Sequence, residues 1–196
     1  CSEVTQASCV SGGGSYVGDG NSCAATDCPI VLTPYLDPLP IPPVAQPVIG
    51  VPGGAATYQL AMKESKASLH SELPLTTVWG FDDGTHGAGF LSPTIEARSN
   101  QPVTVNWVND LRVFDTQQLR NSHYLTVDTC VPDAMNDALN VFHLHGGHVP
   151  PEVDGYPENT VSPGAPPVQY VYPNNQQAGF LWFHDHEHDF TAQNTY

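Results

Sequence analysis

The chain has 196 residues, the length of one large domain or of one domain with a tail. It carries 20 Asp and Glu residues against 5 Lys and Arg residues, so its formal net charge at pH 7 is −15. Because such a charge repels phosphate backbones and anionic lipid surfaces, the composition excludes nucleic-acid binding and electrostatic docking to membranes.

Residues that interrupt helices are frequent, with 19 Pro and 17 Gly in the chain. They favour short strands joined by turns over long helices. Hydrophobic residues make up 40% of the chain, enough to build a core. No apolar run reaches the roughly 18 residues that a membrane-spanning helix needs. We therefore expect an all-β domain.

Two N-terminal segments are predicted to precede this domain. Residues 1–33 are rich in Cys, Gly and Ser and have too few apolar residues for a core of their own, so they are interpreted as an appendage. Residues 34–56 contain DPLPIPP, in which the prolines fix φ and remove amide donors. This second segment is predicted to run as an extended strap rather than as a sheet strand.

The five cysteines indicate an oxidising compartment. They lack the double CxxC spacing of a zinc ribbon, so we expect disulfides. Disulfides persist outside the cytosol, and the chain is therefore predicted to be extracytoplasmic: secreted, periplasmic or at the cell surface. The odd number leaves one cysteine free, modified or paired with another chain. Cys1 either resembles the lipid-bearing first residue of a mature bacterial lipoprotein or reflects trimming at an arbitrary site.

Residues 57–196 carry the period-2 alternation of half-buried strands. Apolar and polar residues alternate from 58 to 62 and from 103 to 107. Further strands are predicted over 94–98, 141–145, 168–172 and 179–186. No stretch sustains helical periodicity over three turns. Short strands with irregular connections predict an antiparallel Greek-key sandwich or barrel.

Six of the nine histidines lie in two short clusters, HLHGGH and HDHEH. On a strand, residues i and i+2 project from the same face, so His143 and His145 point one way, as do His184 and His186. Two such strands side by side would bring four imidazoles together as a site for Zn, Cu, Fe or Ni. A single such motif is explained by solvation of its histidines at the surface. Here apolar residues precede both motifs, and imidazoles without a ligand are costly to bury. Metal ligation therefore explains the two motifs better than solvation does.

The string HLHGGHVPPEVDGYPE at 143–158, with LWFHDH at 181–186, resembles the first domain of the multicopper oxidases. More narrowly, it is similar to the bacterial laccase-like branch that contains spore-coat laccase, bilirubin oxidase and phenoxazinone synthase. Counterparts also exist there for DPLPIP at 37–42, SPTIEAR at 92–98 and VNWVN at 105–109. The resemblance implies that residues 57–196 form a cupredoxin-like, plastocyanin-like Greek-key β-sandwich, the first of three domains.

Carried over residue by residue, the resemblance implies that the paired motifs hold copper. His143 would ligate the type 2 copper. His145, His184 and His186 would ligate the type 3 pair of a trinuclear cluster that reduces O2 to water. Asp154 matches an aspartate that helps to deliver protons to this cluster.

Other residues near the motifs are predicted to have different roles. Glu152 is a lesser candidate for the proton role. Asp185, on the opposite face of its strand from the histidines, is a candidate to orient a ligand ring through a hydrogen bond. His148 and His188 depart from the family pattern and are interpreted as surface residues, and His123 is interpreted as structural.

The type 1 copper of such an oxidase, as the resemblance implies, needs a Cys thiolate and two His. Cys130 has no flanking His. The chain is therefore predicted to be the N-terminal portion of a laccase-like multicopper oxidase, an enzyme that uses O2 as acceptor. It would supply half of the trinuclear ligands, be inactive alone and be completed by the C-terminal portion as a separate chain.

Electrons from a phenol, a bilirubin-like pigment or a metal ion would enter at the type 1 copper of the missing portion and pass to O2. Two other interpretations stay open. One is a stand-alone copper- or zinc-binding module without catalysis, and the other is a structural extracellular β-sandwich with incidental histidines.

Overall fold

The computed structural model describes residues 31–125, 127 and 138–195. All five cysteines lie outside these residues, so the predicted disulfides, the role of Cys130 and the fate of Cys1 stay predictions. The chain divides into two units after Pro38, and the strands and the helix lie in the unit that begins at Leu39. The predicted domain limits at 33 and 56 also stay predictions.

The described residues form six strands and one short helix, so the domain is nearly all β, as predicted. The elements are β1 (Ala56–Ala67), β2 (Thr76–Asp82), β3 (Val103–Asn109), β4 (Phe142–His145), β5 (Val168–Tyr172), β6 (Trp182–Asp185) and α1 (Thr191–Thr195). A 3-10 turn, Pro151–Val153, follows β4. Within the described residues, no helix has the length and hydrophobicity that crossing a membrane requires.

The larger sheet has four strands in the order β2-β1-β3-β5. β1 and β2 pair antiparallel, as do β3 and β5, but β1 and β3 run parallel. The parallel pair departs from the predicted antiparallel arrangement. It forms because the chain crosses back through β2 and residues 83–102 before β3 begins, and a parallel pair needs such a crossover. Val103, Val105 and Trp107 of β3 are buried, in the alternation expected from the sequence.

β2 is a strand that the sequence pattern did not reveal, because Gly80 interrupts it. The structure explains this glycine: a Cβ at position 80 would lie 1.9 Å from the carbonyl oxygen of Gly89, in the loop after β2. Conversely, the strand predicted over 94–98 was wrong. Within that segment only Thr94 forms a bridge, to Val44: its N–H donates to the carbonyl of Pro43, and its carbonyl accepts from Ala45 N–H. The prolines at 42, 43 and 47 have no N–H to extend this pairing into a strand.

The smaller sheet pairs β4 with β6 antiparallel, with Phe142 opposite Asp185 and His145 opposite Trp182. The two histidine motifs therefore lie on neighbouring strands. Their separation in the chain is long, about forty residues, and the connection passes through β5 of the larger sheet.

Aromatic side chains join the two sheets. Trp107 of β3 stacks on Phe142 of β4, with ring centroids 5.1 Å apart. Phe81 of β2 meets the ring of Phe183 of β6 edge-on at 5.3 Å. Such pairs contribute about 0.5–1.5 kcal/mol each beyond the burial of their area. They hold one face of the β4–β6 pair against the larger sheet, and the histidines lie on its opposite face.

Candidate metal centre

The outer face of the β4–β6 pair carries the predicted ligands. His143 and His184 are directly opposite each other in the strand register, and His145 follows two residues later on the same face. Because side chains alternate along a strand, Leu144 and Phe183 point the other way and pack on the core.

The four predicted ligand rings form one cluster. The rings of His143 and His186 stack, with centroids 4.4 Å apart. The other centroid distances are 5.3 Å for His143–His184, 5.4 Å for His145–His184, 5.7 Å for His143–His145 and 5.9 Å for His184–His186. The fold therefore brings together all four histidines that the sequence singled out.

Three of the four rings are oriented by backbone carbonyl groups that contact their Nδ1 atoms. These contacts are His143 to Asp154 O, His184 to Asp185 O, and His186 to Gly155 O at 3.0 Å. A carbonyl oxygen can only accept, so each of these Nδ1 atoms carries the proton and donates it. In a neutral ring with this tautomer, the Nε2 atom keeps its lone pair for a metal ion.

The turn that follows β4 supplies two of these carbonyls, those of Asp154 and Gly155. Gly155 has a φ of 80°, and a Cβ there would lie 2.2 Å from the carbonyl oxygen of Phe142. Only glycine tolerates both the left-handed backbone and this close approach. Gly155 is therefore required for the turn that orients the rings of His143 and His186.

His145 is oriented in another way. Its Nδ1 atom lies 3.1 Å from Nε2 of His184, and among the described residues no backbone carbonyl accepts from its ring. The indole of Trp182 stacks on it instead, with centroids 4.3 Å apart. His143, His145 and His184 each have one ring nitrogen that lies within 4.8 Å of the other two. At this spacing the three nitrogens can share a metal ion.

The pKa of the His184 ring also suits a metal ion. Burial lowers the pKa of the His184 ring, its contact with the Asp185 carbonyl acts in the opposite direction, and the neighbouring imidazoles of His143, His145 and His186 lower it further. Neutral imidazole is the form that binds metals. An all-imidazole donor set fits copper, as it also fits zinc, iron and nickel.

Asp154 lies at the edge of the cluster. Its Oδ1 atom is 3.6 Å from Nδ1 of His143, and its side chain is 52% exposed. The carboxylate therefore reaches both solvent and a predicted ligand ring. Glu152, in the 3-10 turn just before it, is exposed. The role of either carboxylate in proton delivery stays a prediction.

Five further histidines lie outside the cluster of four rings, and three of them have roles predicted from the sequence. His148 is exposed, and its backbone N–H donates to Oε1 of Gln176 at 2.6 Å. His188 is exposed as well. His123 stacks on Phe190 with centroids 5.3 Å apart, and burial lowers the pKa of its ring.

Asp185 does not orient a ligand ring with its carboxylate, contrary to the prediction. The buried carboxylate accepts from the backbone N–H groups of Val141, at 2.8 Å, and Glu187, at 3.1 Å, and from the side-chain amide of Asn194, at 3.0 Å. It points away from the histidine face because it alternates with the ligands along β6. The backbone carbonyl of Asp185, rather than the carboxylate, contacts His184.

The sequence did not reveal the roles of Trp182, Gly155 and Asn194 at this site. Trp182 carried a usable signal, since it lies two residues before His184 and therefore on the same strand face. Gly155 was recognised only as part of a turn. Asn194 had no local signal, because it acts through the packing of α1 against the end of β6.

Fold and site together define a cupredoxin-fold β domain with a cluster of four histidines on one strand pair. A crystal structure of a laccase from Pediococcus acidilactici has the same fold. Its TM-score is 0.60 and its sequence identity 20%, and the match covers 83% of this chain and 28% of that laccase. At this identity the similarity concerns the fold alone.

Sequence comparison establishes the family. A family model described as multicopper oxidase matches residues 125–196. The laccase of Bacillus stratosphericus is 37% identical over 175 residues, 84% of this chain and 32% of that protein. The laccase of Bacillus subtilis strain 168 is 34% identical over 179 residues, 85% of this chain and 32% of that protein. The chain belongs to the multicopper oxidase family, and it spans about a third of the length of these curated relatives.

Proposed function

We propose that this chain is the N-terminal portion of a laccase-like multicopper oxidase and supplies half of the ligands of a trinuclear copper cluster that reduces O2 to water. His143 would hold the type 2 copper, and His145, His184 and His186 the type 3 pair. The observation that carries the proposal is the convergence of four imidazoles on one face of the β4–β6 pair. Copper bound there would supply the one-electron chemistry that O2 reduction needs.

The protein's own contribution is to present neutral imidazoles in the correct orientation. The three backbone carbonyls hold a proton on Nδ1, so that Nε2 is the nitrogen left to bind a metal ion. On the other side of the strands, Phe183 packs on Trp107 with centroids 5.2 Å apart and excludes water. This support keeps the rings from turning away when a ligand position is vacant.

Asp154 is assigned the delivery of protons. Reduction of O2 to water consumes protons, and they have to come from solvent through a group that reaches the site. The Asp154 carboxyl group is half exposed, and its Oδ1 atom lies beside the ring of His143. It is placed to take up a proton from water and to release it toward the cluster.

The proposal includes a partner. Trp182, two residues before His184, and Tyr156, directly after Gly155, are 50% and 61% exposed. Large exposed apolar groups near a site mark an interaction surface. We assign this surface to the C-terminal portion of the same oxidase, as a separate chain. That portion would bring the remaining cluster ligands and the type 1 copper, where a phenol, a bilirubin-like pigment or a metal ion delivers electrons.

The test is to purify the protein under native conditions and to measure bound copper and zinc, polypeptide content and O2 consumption with a methoxyphenol. We expect several copper ions for each copy of this chain, a second polypeptide with an HCH motif, and O2 consumption without release of hydrogen peroxide. A single bound zinc ion and no O2 consumption would refute the oxidase.

One observation favours the second candidate, a stand-alone copper- or zinc-binding module. His143, His145 and His184 by themselves have the spacing of a mononuclear site. In that case one metal ion should bind to each chain, and His186→Ala should leave it in place. In the oxidase the same substitution should remove copper.

A further inference from the structure

We propose that Trp182 is the positioning residue for His145: its indole takes the place of the backbone carbonyl that orients each of the other three rings. The inference rests on the proposed function, because it assigns His145 as a metal ligand. The inference goes beyond the proposed function because it gives a role to a residue that is not itself a metal ligand.

The four rings differ in how they are held. His143, His184 and His186 each donate from Nδ1 to a backbone carbonyl, which fixes both the plane of the ring and the position of its proton. For His145, Nδ1 is the nitrogen that faces the cluster, 3.1 Å from Nε2 of His184. A carbonyl at Nδ1 would therefore compete with the metal ion, and this ring needs another kind of support.

Trp182 meets that need through the strand register. It is the residue directly opposite His145 in the β4–β6 pair, so both side chains project from the same face. Their rings stack with centroids 4.3 Å apart and an angle of 24° between the planes. A stacked indole fixes the plane of the imidazole without occupying either nitrogen, which leaves Nδ1 directed at the cluster.

The stack also restricts the motion of an exposed ring. His145 is the exposed member of the cluster, whereas His143, His184 and His186 are partly buried. An exposed side chain loses rotamer freedom when it binds a metal ion, and that loss weakens binding. Trp182 reduces the loss because it restricts the ring before the metal ion arrives.

The experiment uses the intact oxidase with three variants: Trp182→Leu removes the stacking ring, Trp182→Phe keeps an aromatic ring, and Phe180→Leu is the matched control. Phe180 is 86% exposed and lies two residues earlier in the chain, so its replacement makes the same chemical change next to the site. Trp182 is 50% exposed, so we expect all three variants to fold, which far-ultraviolet circular dichroism checks.

The first readout is the NMR spectrum of histidine-labelled, copper-depleted protein. We expect the ring protons of His145 to be shifted upfield by the indole in the wild type and in Phe180→Leu. The shift should be lost in Trp182→Leu and partly kept in Trp182→Phe. An unchanged His145 spectrum in Trp182→Leu would overturn the proposal.

The second readout is copper affinity, measured by competition with a chelator. We expect about a tenfold loss in Trp182→Leu, partial recovery in Trp182→Phe and no change in Phe180→Leu, as is typical for groups that orient a ligand. Equal affinity in all variants would overturn the proposal, and so would an equal loss in Phe180→Leu. If the wild type binds no copper, the proposed function fails, and the NMR comparison still decides whether Trp182 orients His145.

Discussion

At the scale of single residues, the clustered histidines are predicted to respond to alanine in the same way. We expect O2 reduction by the assembled oxidase to be abolished by His143→Ala, His145→Ala, His184→Ala or His186→Ala. Loss of one imidazole opens a coordination position and changes the geometry and potential of the copper. Copper content and O2 uptake measure the effect, and the blue absorbance of the type 1 copper should survive, since that copper lies elsewhere.

The exposed histidines provide the matched controls. His148→Ala and His188→Ala should keep most of the turnover, because neither ring joins the cluster. Loss of copper in His148→Ala together with retention in His145→Ala would show that the wrong histidines were assigned.

Asp154→Asn should slow O2 reduction without emptying the site. The amide cannot exchange a proton as a carboxyl group does, and loss of a general acid costs roughly 100-fold in rate. The orientation of His143 should persist, because it depends on the backbone carbonyl of Asp154 and not on its side chain. Full copper content with slow O2 uptake is the expected result. Wild-type rates would remove Asp154 from the mechanism.

At the scale of elements, Asn194 connects α1 to the end of β6 and to the segment that precedes β4. Its side-chain nitrogen lies 3.0 Å from a carboxylate oxygen of Asp185, 2.7 Å from one of Glu187 and 3.1 Å from the carbonyl of Leu139. Asn194→Ala leaves these buried acceptors short of a donor, which should lower the free energy of unfolding by about 2 kcal/mol.

Thr195→Ala is the control for this prediction, because Thr195 is exposed and bonds only within α1 among the described residues. Urea denaturation monitored by circular dichroism measures both variants. If the two substitutions lower the free energy of unfolding equally, Asn194 has no special part in connecting α1 to β6 and to the segment before β4.

Asp83 links the loop after β2 to the strap. Burial by itself raises the pKa of Asp83. The backbone N–H groups of Gln46, His86 and Thr85 and the ring of His86 more than offset this and lower the pKa from 3.8 to about 2. The charged form is therefore favoured in the folded state. The resulting stability is present above about pH 4 and is lost as the pH falls toward 2.

Asp83→Asn should remove this pH-dependent contribution. When the pH is lowered from about 5 to about 2, the free energy of unfolding should decrease in both proteins. The decrease should be about 2 kcal/mol smaller in the variant than in the wild type. Urea denaturation across this range measures the difference. Asp115→Asn, at an exposed position, is the control. An identical pH profile for Asp83→Asn and wild type would contradict the prediction.

At the scale of the whole molecule, this polypeptide expressed alone should bind copper weakly and show no oxidase activity. Under the proposed function it offers half of the cluster ligands, and it has no cysteine flanked by histidine for a type 1 copper. Mixing or co-expression with the C-terminal portion should restore both properties. Native size-exclusion chromatography should give a mass well above that of this chain. Tight binding of three copper ions by the isolated chain would contradict the half-site arrangement.

Local pattern was enough to predict which four histidines lie together. The i, i+2 spacing of His143 with His145, and of His184 with His186, places each pair on one strand face, and this rule depends on nearest neighbours alone. The strands at 103–107 and 168–172 were predictable for the same reason. β2 was not predicted, because Gly80 interrupts its apolar pattern. The glycine is required by a contact with Gly89, which lies outside the strand.

Long-range contacts decided the rest of the site. The turn at Asp154 and Gly155 orients the rings of His143 and His186 only after it has folded back over β4 and β6. The stack of Trp182 on His145 depends on the register between two strands about forty residues apart. Neither contact follows from a pattern of neighbours along the chain, because each is set by how separate segments pack in the folded domain.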